Sequence, residues 1–232
     1  MSDWKETLGV IINEFLSFLN CKSSNFILKG GTALMLCYGL DRFSEDIDLD
    51  GKICKGSSIF DITESFCKER GYTYRIAKNT DTVNRIMLNY DNYGKPLKIE
   101  VSLRRKDIPE NETTIINGIL AYRLEPLCIM KAGALSSRDR VRDLYDTAFI
   151  CLNHYDSLSP QAQFIIRNAV EHKGFEYYDY VIRQDNDELI DNEKLSNNFL
   201  DMYDKLGLIY DRNQNNNSKT CPQRKLGEKL DK

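Results

Sequence analysis

Within Lys29 to Lys52, KGGTALMLCYGLDRFSEDIDLDGK, the carboxylates Glu45, Asp46, Asp48 and Asp50 crowd into six positions. Like charges this close repel unless a cation lies among them or water reaches each one. Asp46-Ile47-Asp48-Leu49-Asp50 alternates acid and aliphatic, the period of a strand with one apolar face. Same-face neighbours on a strand have Cα atoms about 6–7 Å apart. Asp46 and Asp48 are thus expected to project together while Ile47 and Leu49 enter the core. Two carboxylates held so suit magnesium, which takes hard oxygen ligands at about 2.1 Å. Asp50 extends the row at the strand end, where solvation alone accounts for it.

Gly30-Gly31-Thr32 falls between a strand candidate, Phe26 to Leu28, and a helix candidate, Thr32 to Tyr38. Glycine lets backbone approach a phosphate closely, and N–H groups at a helix start favour an anion. A tight turn explains the glycines taken alone. Followed by two acids on one strand face, they describe a triphosphate cradle opposite a metal site. Three rivals compete. A row of acids can be a solvated, aggregation-resistant edge. DIDLDG also opens like a calcium-binding loop, but with Asp46 first, the twelfth position is Ser57 where a bidentate glutamate is required. A two-metal carboxylate cluster serves hydrolysis as well as transfer, and the phosphate cradle favours transfer.

GGTALMLCYGLDRFSEDIDLD resembles the first motif of the AbiEii/MenT-type nucleotidyltransferase toxins, within the polymerase β-like superfamily. Gly31-Thr32 stands for the Gly-Ser of that superfamily and Asp46-Ile47-Asp48 for its D-x-D; threonine keeps the hydroxyl. The resemblance implies a third metal-binding acid on a later strand, and PLKIEVSLRR offers Glu100 there, also as the base. It further implies a lysine and an aspartate on later helices, matched by Lys131 and the Asp146 of RDLYD. Lys131, Leu135, Arg138, Arg142 and Asp146 form one stripe on a continuous helix, or a corner if a second helix starts at Ser136-Ser137. For Arg140 a solvated face is the expectation. The resemblance spans roughly residues 26–150. It implies an α+β fold, a mixed sheet with flanking helices followed by a helical C-terminal half. Gly30, Gly31, Thr32 and Lys131 would hold NTP phosphates, and Asp46, Asp48 and Glu100 two magnesium ions, with manganese as a substitute. The implied acceptor is the tRNA 3′ end and the implied partner a cognate antitoxin. Arg104, Arg105, Lys106, Arg138 and Arg142 are candidate RNA contacts. Nucleotidyl transfer to a protein or small molecule, and an inactive nucleotide- or RNA-binding module, stay open as alternatives.

The elements that must position these groups follow from periodicity. Apolar residues at helical spacing mark Trp4 to Leu19, and a helix over Ser57 to Arg70 stops at Gly71. Strands are expected over Tyr72 to Ala77, Val83 to Tyr90 and Leu97 to Leu103, with a turn at Asn92 to Pro96. After about residue 120 the pattern turns helical, over Glu125 to Ser136, Val141 to His154, Pro160 to His172 and Phe175 to Arg183. This divides the chain into an α+β domain (1–120), a helical domain completing the cleft (121–210) and an Asn- and Lys-rich disordered tail (211–232).

The 232 residues suffice for a sizeable core, and the net charge of −3 argues against bulk attraction to nucleic acid. No apolar run approaches the roughly 20 residues of a membrane span, and the N-terminus lacks a signal-peptide pattern. The 7 cysteines are scattered with no CxxC pair, as for buried thiols in a reducing cytoplasm.

Overall fold

The computed structural model describes residues 4–52, 58–91, 95–105, 107–185 and 187–209. Most of the expected Asn92–Pro96 turn, Lys106 and the 211–232 tail lie outside them.

Helix α1 (Trp4–Lys22) buries Leu8, Ile11, Ile12, Phe15, Leu16 and Leu19, one stripe at helical spacing. Strand β1 (Phe26–Lys29) runs directly into α2 (Gly30–Tyr38), which Gly39 closes in the left-handed conformation, φ 77°. Strand β2 (Asp46–Gly51) follows, then α3 (Ile59–Arg70), whose N-terminus is capped by the Ser58 hydroxyl accepting from the Phe60 N–H. Strands β3 (Thr73–Asn79), β4 (Val83–Asn89) and β5 (Leu97–Ser102) complete the expected set.

A hairpin absent from the periodicity reading comes next: β6 (Thr113–Ile116) and β7 (Ile119–Tyr122). Its turn is Asn117-Gly118, both at positive φ (51° and 78°), which gives the two-residue turn whose twist suits a hairpin. The seven strands form one mixed sheet in the order β3-β4-β5-β2-β1-β7-β6. β2 lies parallel to β5 and antiparallel to β1, so its two neighbours present chains of opposite direction to the acidic row.

The remaining chain is helical: α4 (Leu124–Ser137), α5 (Val141–His154), α6 (Pro160–Lys173), α7 (Phe175–Gln184) and α8 (Asn192–Lys205). Helix α8 had no counterpart in the periodicity reading. Of the two arrangements open for the Lys131–Asp146 segment, the corner is found, with the break at Arg138–Arg140 and not at Ser136-Ser137. α4 packs on α6, α5 on α8, and α2 on α4. One hydrophobic cluster reaches from Leu8 through the sheet to Leu208. Among the described residues no helix is long and apolar enough to cross a membrane.

Candidate active site

The parallel register pairs Asp46 with Lys98 and Asp48 with Glu100, so all four side chains stand on one face of the sheet. Ile47 and Leu49, on the other face, are fully buried and lock that orientation. Cations border the acids. Lys98 Nζ lies 2.5 Å from Asp46, and Arg85 on β4 lies 2.6 Å from Glu100. The central Asp48 accepts no hydrogen bond from any described side chain. Burial pushes its carboxyl above the usual range, Lys98 pulls it down, Asp46 and Glu100 push it further up, and Lys29 opposes them.

Asp50 departs from expectation. It is not a solvated strand end but buried at 4% exposure, 2.5 Å from Lys29 Nζ and accepting from the Tyr122 hydroxyl at 2.9 Å. β1 and β7 cover that end of β2, and a carboxylate there needs such partners.

The Gly30-Gly31 turn sits over the same face. Gly30 adopts φ +75°, and a Cβ on it would come 3.0 Å from Asp48 Oδ2. A Cβ on Gly31 would meet Arg42 Nη2 at 2.8 Å and Ser44 Oγ at 2.9 Å. Gly30 is therefore required by its positive φ as well as by close approach, and Gly31 by close approach. Thr32 is buried, its hydroxyl donating to the Asp46 carbonyl and 2.9 Å from Ser44 Oγ. That hydroxyl fastens the start of β2; what the turn offers a ligand is backbone.

The far wall is the α4–α5 corner. Asp146, fully buried, receives Arg42 Nε at 2.6 Å and Nη2 at 2.8 Å, and Lys131 Nζ at 2.6 Å. Asp143, 2% exposed, receives Lys131 at 3.3 Å and Arg138 at 2.6 and 3.0 Å. Burial opposes the Asp143 charge, but the Arg138 and Lys131 contacts outweigh it and hold its carboxyl below the usual range. Arg142 pairs with Asp187 and, at 3.2 Å, with Glu45.

Arg140 is exposed, as on a solvated face, and it also lines the cleft, with no acidic partner among the described residues. Arg105 turns away, 2.7 Å from Glu112 and over the Tyr122 ring. Arg104 is exposed and outside the cleft lining.

Together these groups enclose a polar cleft of about 300 Å³. Asp46, Asp48 and Glu100 form one side; Lys131, Arg138, Arg140 and Arg142 form the other, with Gly31, Arg42 and Ser44 between. Arg42, Lys131 and Arg138 share Asp143 and Asp146, and Arg142 meets Asp187 and Glu45. These four cations face four carboxylates, so the wall's surplus positive charge is Arg140. Arg42 and Asp143 were not identified from sequence. The Arg42 partner lies 104 residues away, a separation no local pattern reveals.

Among the described residues no three acidic, histidine or cysteine side chains already converge as a metal cage. The donor set nevertheless fits a hard divalent cation: Asp48 is unpartnered with its charge disfavoured by burial, and carboxylates flank it on both sides.

A model of the family described as "Nucleotidyl transferase AbiEii toxin, Type IV TA system" matches residues 18–209. JHP933 from Helicobacter pylori has a similar fold, with TM-score 0.71 at 24% identity over 93% of this chain and 98% of that one. MenT4, a nucleotidyltransferase toxin from Mycobacterium tuberculosis H37Rv, aligns with TM-score 0.50 at 12% identity over 91% of this chain and 86% of its own. Among curated proteins, none matches this chain.

Proposed function

This chain belongs to the AbiEii family of nucleotidyltransferase toxins of type IV toxin–antitoxin systems, and from that premise we propose that it transfers a nucleoside monophosphate from an NTP to the tRNA 3′ end with magnesium. The observation that carries the reading is the cleft itself, an acidic β2–β5 floor facing a cationic α4–α5 wall. A triphosphate needs both: carboxylates to hold its metal and cations to meet its remaining charge.

Asp46, Asp48 and Glu100 would hold magnesium, which when bound neutralises phosphate charge and makes an acceptor hydroxyl more acidic. The Gly30-Gly31 backbone admits phosphates at the start of α2, where N–H groups favour an anion. Lys131, Arg138 and Arg140 draw the β- and γ-phosphates to the opposite wall. Asp146 and Asp143 act through these cations, fixing Lys131 and Arg138 and carrying Arg42 beside Gly31. The acceptor oxygen attacks the α-phosphorus and gives its proton to Glu100. The bond to the bridging oxygen breaks, and pyrophosphate leaves along the cationic wall. Positioning and charge neutralisation supply most of the catalysis.

The test is incubation of the purified chain with each α-labelled NTP, magnesium and total tRNA, beside Asp46→Ala. Label on tRNA with wild type alone supports the reading and identifies the base. No label on tRNA overturns the acceptor, and equal labelling by Asp46→Ala overturns the role of the carboxylates.

A further inference from the structure

The face that carries the acids does not end at the cleft. Across successive strands the register aligns Asp48 with Glu100, Glu100 with Arg85, and Arg85 with Lys78. A second row runs from Asp46 to Lys98, Met87 and Arg75. Aligned residues on neighbouring strands share a face, and strands lie about 4.8 Å apart. Lys78 and Arg75 therefore stand roughly 14 Å from Asp48 and Asp46, and Lys78 roughly 10 Å from Glu100, on one face of the sheet, with a register shift between Ile76 and Lys78.

The inner cations of each row are committed, Arg85 to Glu100 and Lys98 to Asp46. The outer ones are not. Arg75 and Lys78 are exposed, with no acidic partner among the described residues. Asp81 is the single carboxylate of the β3–β4 hairpin and sits at its turn. The opposite face of β3 is treated differently: Tyr74 pairs with Leu88 toward the core, and α3 packs on that side. The other sheet edge, β6, is Thr-Thr-Ile-Ile and carries no charge. A chain of net −3 thus places uncommitted positive charge on the edge whose face leads into the acids.

Resting on the reading of an RNA acceptor, we infer that the β3–β4 face is where the acceptor RNA lies. Arg75 and Lys78 contact its phosphates while the terminal hydroxyl reaches Glu100. Charge complementarity selects a polyanion, and continuity with Glu100 selects one that ends in the cleft. An arriving strand meets these cations before it reaches the acids, two of which, Asp46 and Glu100, already carry a paired cation.

The test is filter binding of end-labelled total tRNA by the full chain, without NTP, over a range of salt. Arg75→Glu/Lys78→Glu is expected to weaken binding at least 10-fold. Arg75→Gln/Lys78→Gln should weaken it less and flatten the dependence of log K on log salt by roughly 0.7 per lost contact. Lys68→Glu on α3 serves as the control for charge change alone and should bind like wild type. Unchanged binding of a fluorescent ATP analogue by the double variant shows that the cleft is intact. Equal tRNA affinity in wild type and double variant overturns the surface while leaving the transfer reading standing. A wild type that binds no tRNA overturns both.

Discussion

Asp48 is the residue on which the chemistry turns. It is the only one of the three cleft acids without a cation in contact, and burial already disfavours its charge. Asp48→Asn keeps the shape and removes that charge. Transfer should fall by a factor on the order of 10³, as loss of several kcal/mol of metal-derived stabilisation implies. The thermal midpoint should stay level or rise, because a disfavoured charge has gone. A midpoint that falls by several degrees would show that the carboxylate stabilises the fold instead. Acid pH separates two groups by the sign of their shifts. The raised Asp48 carboxyl takes its proton above the usual carboxylate range, and protonation there favours the folded state; that contribution is lost as pH rises through the folded value. The lowered Asp143 carboxyl stabilises the fold above its ordinary value and loses that contribution as pH falls through its depressed one. At limiting magnesium, single-turnover transfer should therefore fade on acidification before circular dichroism reports unfolding. Simultaneous loss would contradict the order.

At the level of elements, the α4–α5 corner is held by buried carboxylates serving several cations each. Asp146→Ala strands Arg42 and Lys131 without their shared partner, and breaking a buried pair costs about 3–5 kcal/mol. Urea denaturation should show that loss. Gly31→Ala works from the other side, driving a Cβ into Arg42 Nη2 at 2.8 Å and Ser44 Oγ at 2.9 Å. Arg42 must shift, so NTP affinity should drop with a smaller loss of stability than Asp146→Ala; unchanged affinity would refute the close approach. How much of this was legible in sequence depended on range. Strand β2 could be read because its alternation is local, and α5 because its apolar stripe matches residues 141–154. The β6–β7 hairpin was missed although Asn117-Gly118 marks it, because the flanking strands are only four residues each. Asp50 looked solvated because nothing nearby in sequence reveals Lys29 and Tyr122 as its partners. The corner was one of two readings, since spacing alone cannot say where a helix breaks. Thr32 kept its place in the turn, but its hydroxyl was spent on a backbone carbonyl that only the folded sheet brings near.

Over the whole molecule, the sheet half and the helical half share one hydrophobic cluster, from Leu8 on α1 to Leu208 beyond α8. The cleft has Asp46, Asp48 and Glu100 on one half and Lys131, Arg138 and Arg140 on the other, so catalysis needs the two held at fixed distance. Arg42 leaves the α2–β2 connection to reach Asp146 on α5, and Tyr145 on α5 donates back to Asp41 at 2.9 Å. Packing and ion pairs thus cross the same boundary. Such coupling predicts one cooperative transition, and the chain carries suitable probes at opposite ends. Its single tryptophan, Trp4, lies edge-on to Phe43 with Lys95 4.0 Å from its ring centroid, and reports on the sheet half. Far-ultraviolet circular dichroism is weighted toward helices, most of which follow residue 123. In urea the two signals should trace one curve with a common midpoint. If fluorescence and dichroism separate, the halves unfold independently, and the cleft is a docking of two domains instead of a feature of one core.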